Sequence, residues 1–138
     1  MDDTLRTQPR RVLVIEPSEF IRSMVLMLLE LDGHAGHGVQ TVSEARGVLR
    51  RQAFDVVVSD VDVNSAAEVV ALSLDLRRLA WRPQVVWVGE LSPLAVDPEG
   101  AVFRDVLRLS RPFDVRSFRE LMSRCHGASS QQDAALAG

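Results

Sequence analysis

The chain alternates short uncharged apolar runs with longer stretches of helical period. Val12-Leu13-Val14-Ile15 is a run of apolar residues between Arg11 and Glu16-Pro17. It has no polar alternate position and is too short for a helix, so it reads as a strand covered on both faces. Ser18 offers a cap, and Glu19 to Leu31 has a helical period that ends at Asp32-Gly33. His34 to Gln40 makes a weakly coded second strand. Thr41 to Glu44 opens a second helix that reaches about Arg51. Phe54 to Ser59, around Val56-Val57-Val58, predicts the third strand. Beyond Asp60 and Asp62, Ser65 caps a helix that runs to about Leu79. Pro83 leads into the fourth strand, Val85-Val86-Trp87-Val88. Turn formers crowd Gly89 to Pro98, so the fourth helix is short or irregular, over 98–104. Val106 to Leu109 is the fifth strand, and Asp114 caps a last helix to about Cys125.

Strands alternating with helices predict βαβ units. The expected fold is α/β, a five-stranded parallel sheet flanked by helices. The 138 residues suit one domain with a core. Residues 1–10 read as a flexible leader, 11–126 as the domain and 127–138 as a disordered tail. The first helix carries more apolar surface than a core contact needs. Phe20, Met24, Met27, Leu28 and Leu31 cluster on one side, and Ile21, Val25, Leu26 and Leu29 widen the stripe. Two readings stand: a deeply buried helix, or one whose Leu26, Met27 and Leu31 spill onto a partner surface.

Charge and composition narrow the function. A net charge of −3 carries no basic excess, so DNA binding is not expected. The single cysteine, Cys125, excludes an internal disulfide or a cysteine-based zinc cluster and suits a reducing, cytoplasmic setting. The polar N-terminal segment has no signal-peptide core, and no run is long enough to span a bilayer. All sixteen cationic residues are arginine. Chemistry that needs a lysine ammonium is therefore excluded.

Candidate chemistry gathers at the end of the third strand, where Asp60 and Asp62 follow Val56-Val57-Val58. In open α/β sheets, ligands and reactions collect at the carboxyl ends of strands. Four features occur in order along the chain: Val12-Leu13-Val14-Ile15-Glu16 with Arg22 six residues on, Asp55 five before Asp60, Pro83 ahead of Val85-Val86-Trp87-Val88, and Arg111-Pro112-Phe113. Together they make the chain, over about 11–125, resemble a response-regulator receiver domain of the stand-alone, CheY-like kind, which implies a flavodoxin-like (βα)5 three-layer sandwich around a five-stranded parallel sheet. The resemblance implies Asp60 as phosphoacceptor beside Mg²⁺, which neutralises phosphoryl oxygens. It places the family's paired metal-binding acids on Glu16 and Pro17, and proline has no side-chain oxygen. Glu16, Asp60 and Asp62 remain as a weak Mg²⁺ site, with Asp62 either replacing the lost ligand or lying solvated in a loop. The family's hydroxyl residue falls on Gly89, its lysine on Arg111 and its aromatic switch on Arg108. The Met-Pro and Asp-Gly loop residues are replaced by Val61-Asp62-Val63-Asn64-Ser65.

The resemblance implies a non-enzymatic signalling protein. A histidine kinase or phosphotransfer protein would dock on the first helix, and output would pass to a downstream protein partner. The alternative is a phosphorylation-independent pseudo-receiver. It would act as an interaction module, through the first helix or through a homodimer face around Val106 to Phe118, or would bind a cyclic dinucleotide. The arginines at 104, 108, 111, 116 and 119 would form the nucleotide surface, or else a solvated face paired with Asp105, Asp114 and Glu120. His34, His37 and His126 show no metal-binding spacing and read as loop histidines. Asp60-Val61-Asp62 also looks like the Asp-x-Asp of haloacid-dehalogenase-like phosphatases, but those enzymes need a lysine, which this chain lacks.

Overall fold

A computed structural model gives the fold and describes residues 8–61, 66–90, 106–125 and 129–130. The elements follow in order as β1 (Arg11–Ile15), α1 (Glu19–Leu31), β2 (Ala35–Val39), α2 (Val42–Leu49), β3 (Val56–Asp60) and α3 (Ala66–Arg78). Then come β4 (Trp81–Arg82), β5 (Gln84–Val88), β6 (Leu107–Leu109), α4 (Val115–Ser123) and β7 (Ser129–Ser130). Five strands form a parallel sheet in the order β2-β1-β3-β5-β6. This is the flavodoxin-like doubly wound order, whose chain direction switches between β1 and β3. The expected helix over 98–104 lies outside the described residues. Within 127–138, the stretch read as a tail, Ser129–Ser130 pairs antiparallel with Trp81–Arg82.

Caps fix the helix starts where the sequence places them. The Ser18 hydroxyl accepts from the Ile21 N–H, Thr41 from Glu44 and Asp114 from Ser117. Each satisfies a donor that the first helical turn leaves unpaired.

The period-two alternation of the strands builds two cores. Val12, Val14, Val56, Val58 and Val86 face α1 and α4, where they meet Val25, Leu28, Leu29, Phe118 and Leu121. Leu13, Ile15 and Val57 face α2 and α3, where they meet Val48, Leu49, Leu72 and Leu76. All five residues of β3 are buried, as the uncharged run in a central parallel strand requires.

The first helix divides its apolar residues between the core and the surface. Val25, Leu28 and Leu29 are buried. Phe20, Met27 and Leu31 remain 79%, 54% and 74% exposed. Met27 and Leu31 thus lie on the surface, as expected of a partner face. Leu26 does not: it is half-buried against the core. The reason is the glycines of β2. A Cβ at Gly36 or Gly38 would lie 2.7 and 2.8 Å from the two methyls of Leu26. Without side chains there, the leucine drops onto the strand.

Candidate functional site

The ladder between β1 and β3 pairs Val12 with Val56 and Ile15 with Ser59. Carried one step further, the same register sets Glu16 beside Asp60 at the carboxyl ends of the two strands. Both share the face of Val14 and Val58, so both carboxylates turn toward α1 and α4. They are nearly sealed, with Glu16 6% and Asp60 2% exposed. A void of about 10 Å³ beneath them is walled by Val14, Val25, Val58, Val88 and Phe118, room for at most one water.

Among the described residues, a cation closes this pair. Arg111 follows β6 and reaches back across β5. Its Nη2 donates to Glu16 Oε1 at 2.6 Å and also to Asp60 Oδ2. Burial opposes the charge on the guanidinium, but the hydrogen bonds and charges of Glu16 and Asp60 outweigh it and hold its pKa above the ordinary arginine value. Glu16 is fixed from the other side as well. Its Oε2 accepts the Ser18 N–H at 2.9 Å, and its backbone carbonyl accepts from Arg22 Nη1 at 2.8 Å. The start of α1, Glu16, Asp60 and Arg111 therefore form a continuous polar chain.

The structure brings Glu16, Asp60 and Arg111 together. Pro17, adjacent to Glu16, is half-buried and has no side-chain oxygen to offer. Asp62 lies outside the described residues, as do Arg104, Asp105 and His126. Among the described residues no group of three or more His, Cys, Asp or Glu side chains is arranged to hold a metal ion. Mg²⁺ prefers a near-octahedral shell of oxygens. Among the described residues, two buried carboxylates already bridged by a guanidinium do not fit that ion.

The other sequence candidates separate. The Arg108 side chain is exposed and donates to the Glu90 carbonyl at 3.4 Å. Arg116 pairs with Glu120, and Arg119 holds both oxygens of Asp32 at 2.6 and 2.8 Å. The described arginines of the suspected nucleotide surface thus serve partners on different elements. His34 is buried, with Nδ1 accepting the Arg10 N–H at 3.0 Å. It is a structural residue in the α1–β2 connection. Cys125 is buried, and desolvation pushes its thiol up to about 11, so it is a packing residue with little thiolate at neutral pH. Asp55, part of the motif spacing, accepts the Arg11 N–H at 2.9 Å and joins β3 to β1.

Two features escaped the sequence reading. Gly89, read only as a lost hydroxyl, has φ +131°, a conformation that residues with a Cβ rarely adopt. Its N–H donates to the Leu109 carbonyl at 3.1 Å. The second is the role of Ser18 in fixing Glu16. The signal for it was the sequence Glu16-Pro17-Ser18 itself, an acid two residues before a helix cap.

No protein-family profile matches the chain, and no curated protein sequence matches it. Solved structures do. The chemotaxis protein CheY4 of Vibrio cholerae is 22% identical, with a TM-score of 0.68 over 86% of this chain and 99% of that one. A CheY-like response regulator receiver domain from Methylobacillus flagellatus is 21% identical, with a TM-score of 0.67 over 83% and 97% of the two chains. The receiver domain of a sensor histidine kinase from Pseudomonas aeruginosa, with a magnesium ion coordinated in its active site cleft, is 13% identical. It has a TM-score of 0.61 over 85% and 97% of the two chains. The chain therefore has the fold of CheY-like receiver domains, and Glu16, Asp60 and Arg111 lie at the strand ends where that fold gathers its chemistry.

Proposed function

We propose that the chain is a non-enzymatic, receiver-type interaction module of two-component signalling. It acts through protein contacts, with Asp60 held in a closed ion cluster rather than serving as an efficient phosphoacceptor. The observation that carries this reading is the Arg111 guanidinium bound to both Glu16 and Asp60. A carboxylate nucleophile must be free to attack and needs a cation on the incoming phosphoryl group. Here the nucleophile and its acidic neighbour are both engaged. Gly89 offers no hydroxyl for a phosphoryl oxygen, and Arg108, in the place of the family's aromatic switch, is exposed and bound to the Glu90 carbonyl.

The exposed stripe on α1 supplies the contact surface. Phe20, Met27 and Leu31 are exposed on it, seven and four residues apart, with the half-buried Met24 between the first two. That spacing suits packing against another helix. A helical histidine kinase or phosphotransfer protein is the partner this reading favours, in the cytoplasm.

A second reading, phosphorylation at Asp60, is favoured by one observation: the carboxylate remains at the carboxyl end of β3 with a cation on it. The test is to incubate the protein with Mg²⁺ and acetyl phosphate and to measure intact mass. No stoichiometric adduct is expected. A phosphoryl adduct that disappears in Asp60→Asn would favour the second reading. A cyclic dinucleotide titration is expected to be flat, because the described arginines are committed to separate partners.

A further inference from the structure

We propose that Arg111 is the resident counter-cation of this site and stands in for the divalent ion on which the receiver resemblance would rely. The inference rests on the reading of Glu16, Asp60 and Arg111 as a receiver-type cluster, and it says what that cluster does with a metal.

The geometry gives the argument in steps. Two carboxylates buried side by side repel each other and need a positive charge between them. One nitrogen of Arg111 supplies it to both, at Glu16 Oε1 and Asp60 Oδ2. The remaining Glu16 oxygen is taken by the Ser18 N–H. Pro17 has no side-chain oxygen to add, so the carboxylates among the described residues are too few for a dedicated metal shell. A guanidinium cannot lose its proton to make room, and its planar fork is bulkier than an ammonium. A divalent ion arriving here meets a fixed positive charge on the carboxylates it would use. It enters only if Arg111 swings out and both contacts break. Arg111 therefore keeps the two acids satisfied and the metal out, and the folded state has no requirement for Mg²⁺.

The test uses the full chain and Mn²⁺, whose paramagnetism broadens the amide signals of nearby residues. In the wild type, millimolar Mn²⁺ is expected to leave the Glu16, Asp60 and Val61 amides no broader than those of exposed acids such as Glu44. Mg²⁺ is expected to leave the thermal midpoint unchanged. In Arg111→Gln the same three amides should broaden first. The affinity should rise roughly tenfold or more once the opposing charge is gone, and Mg²⁺ should raise the midpoint. Adding Asp60→Asn to Arg111→Gln should abolish the gain and so locate the ion. Arg111→Lys, which keeps the charge on a more compact group, should gain less and covers the case in which Arg111→Gln does not fold. Selective broadening at Glu16 and Asp60 in the wild type would overturn the proposal. So would an Arg111→Gln variant, or an Arg111→Lys variant where only that one folds, that gains no affinity. The outcome is separable from the function proposed above. A wild type that takes a phosphoryl group at Asp60 but shows no selective broadening overturns that function and leaves the resident cation standing. Selective broadening with no adduct does the reverse.

Discussion

His34 shows how one buried side chain makes the fold sensitive to pH. Its pKa lies below the ordinary 6.5, chiefly because burial disfavours the charged ring; the Asp32 charge opposes this and the Arg10 charge adds to it. The neutral ring is the form whose Nδ1 accepts the Arg10 N–H. In the unfolded chain the imidazole takes up a proton near pH 6.5, whereas in the folded chain it does so only at lower pH. The contribution of His34 is therefore complete above pH 6.5 and is lost as the pH falls through the folded value. Urea midpoints measured between pH 7.5 and 5 should fall with pH. His34→Gln, which keeps an acceptor but does not titrate, should flatten the slope. Glu16, Asp60 and Arg111 were named in the sequence through the resemblance, as metal ligand, phosphoacceptor and lysine replacement; that they pair with one another was not legible, because the pairing joins residues 51 and 95 positions apart. His34 was read as a loop histidine because its burial depends on the chain turning back from α1 into β2, which no local pattern encodes.

At the scale of elements, the boundaries of α1 were legible because cap, period and terminator agree at Ser18, Glu19–Leu31 and Asp32-Gly33. Which apolar side chain faces inward was not. Nine apolar residues in one helix leave its rotation undetermined, and the answer lies in β2. Gly36 and Gly38 open a slot for Leu26, which fixes α1 on the sheet. The two glycines press on different methyls of that leucine. Either single alanine leaves Leu26 a direction in which to yield; both together leave none. Gly36→Ala with Gly38→Ala should cost more than the sum of the single changes, about 1–3 kcal/mol for the pair, read by chemical denaturation. Near-additive small effects would show that α1 is not seated by that slot.

At the scale of the whole molecule, the parallel sheet between two helical layers followed from the alternation of elements; its strand order was implied only by the resemblance, since the same alternation allows more than one doubly wound order. The surface did not follow so directly. Phe20, Met27 and Leu31 share one exposed side of α1, whereas on the 106–118 face Val115 is the exposed large apolar side chain and Phe118 is buried. The α1 face is thus the stronger candidate for association. Phe20→Ser with Leu31→Arg should change folding stability by only about 0.5 kcal/mol or less each, as exposed positions do. Fluorescence of an apolar dye bound to the native protein should fall. Unchanged dye binding would place the accessible apolar surface elsewhere.

The backbone at Gly89 carries a consequence for ancestry. If the chain descends from a phosphorylated receiver, the step back is not a single codon. A serine or threonine returned to position 89 would have to adopt a φ of +131°, which costs a side-chain-bearing residue on the order of 1–3 kcal/mol. Arg111 would still hold Glu16 and Asp60, and Pro17 would still lack a side-chain oxygen for a metal. Each of the three changes is unrewarded until the other two are present. Under that descent, the local conformation of one glycine would act as a ratchet, making such a departure easy to deepen and hard to reverse one substitution at a time.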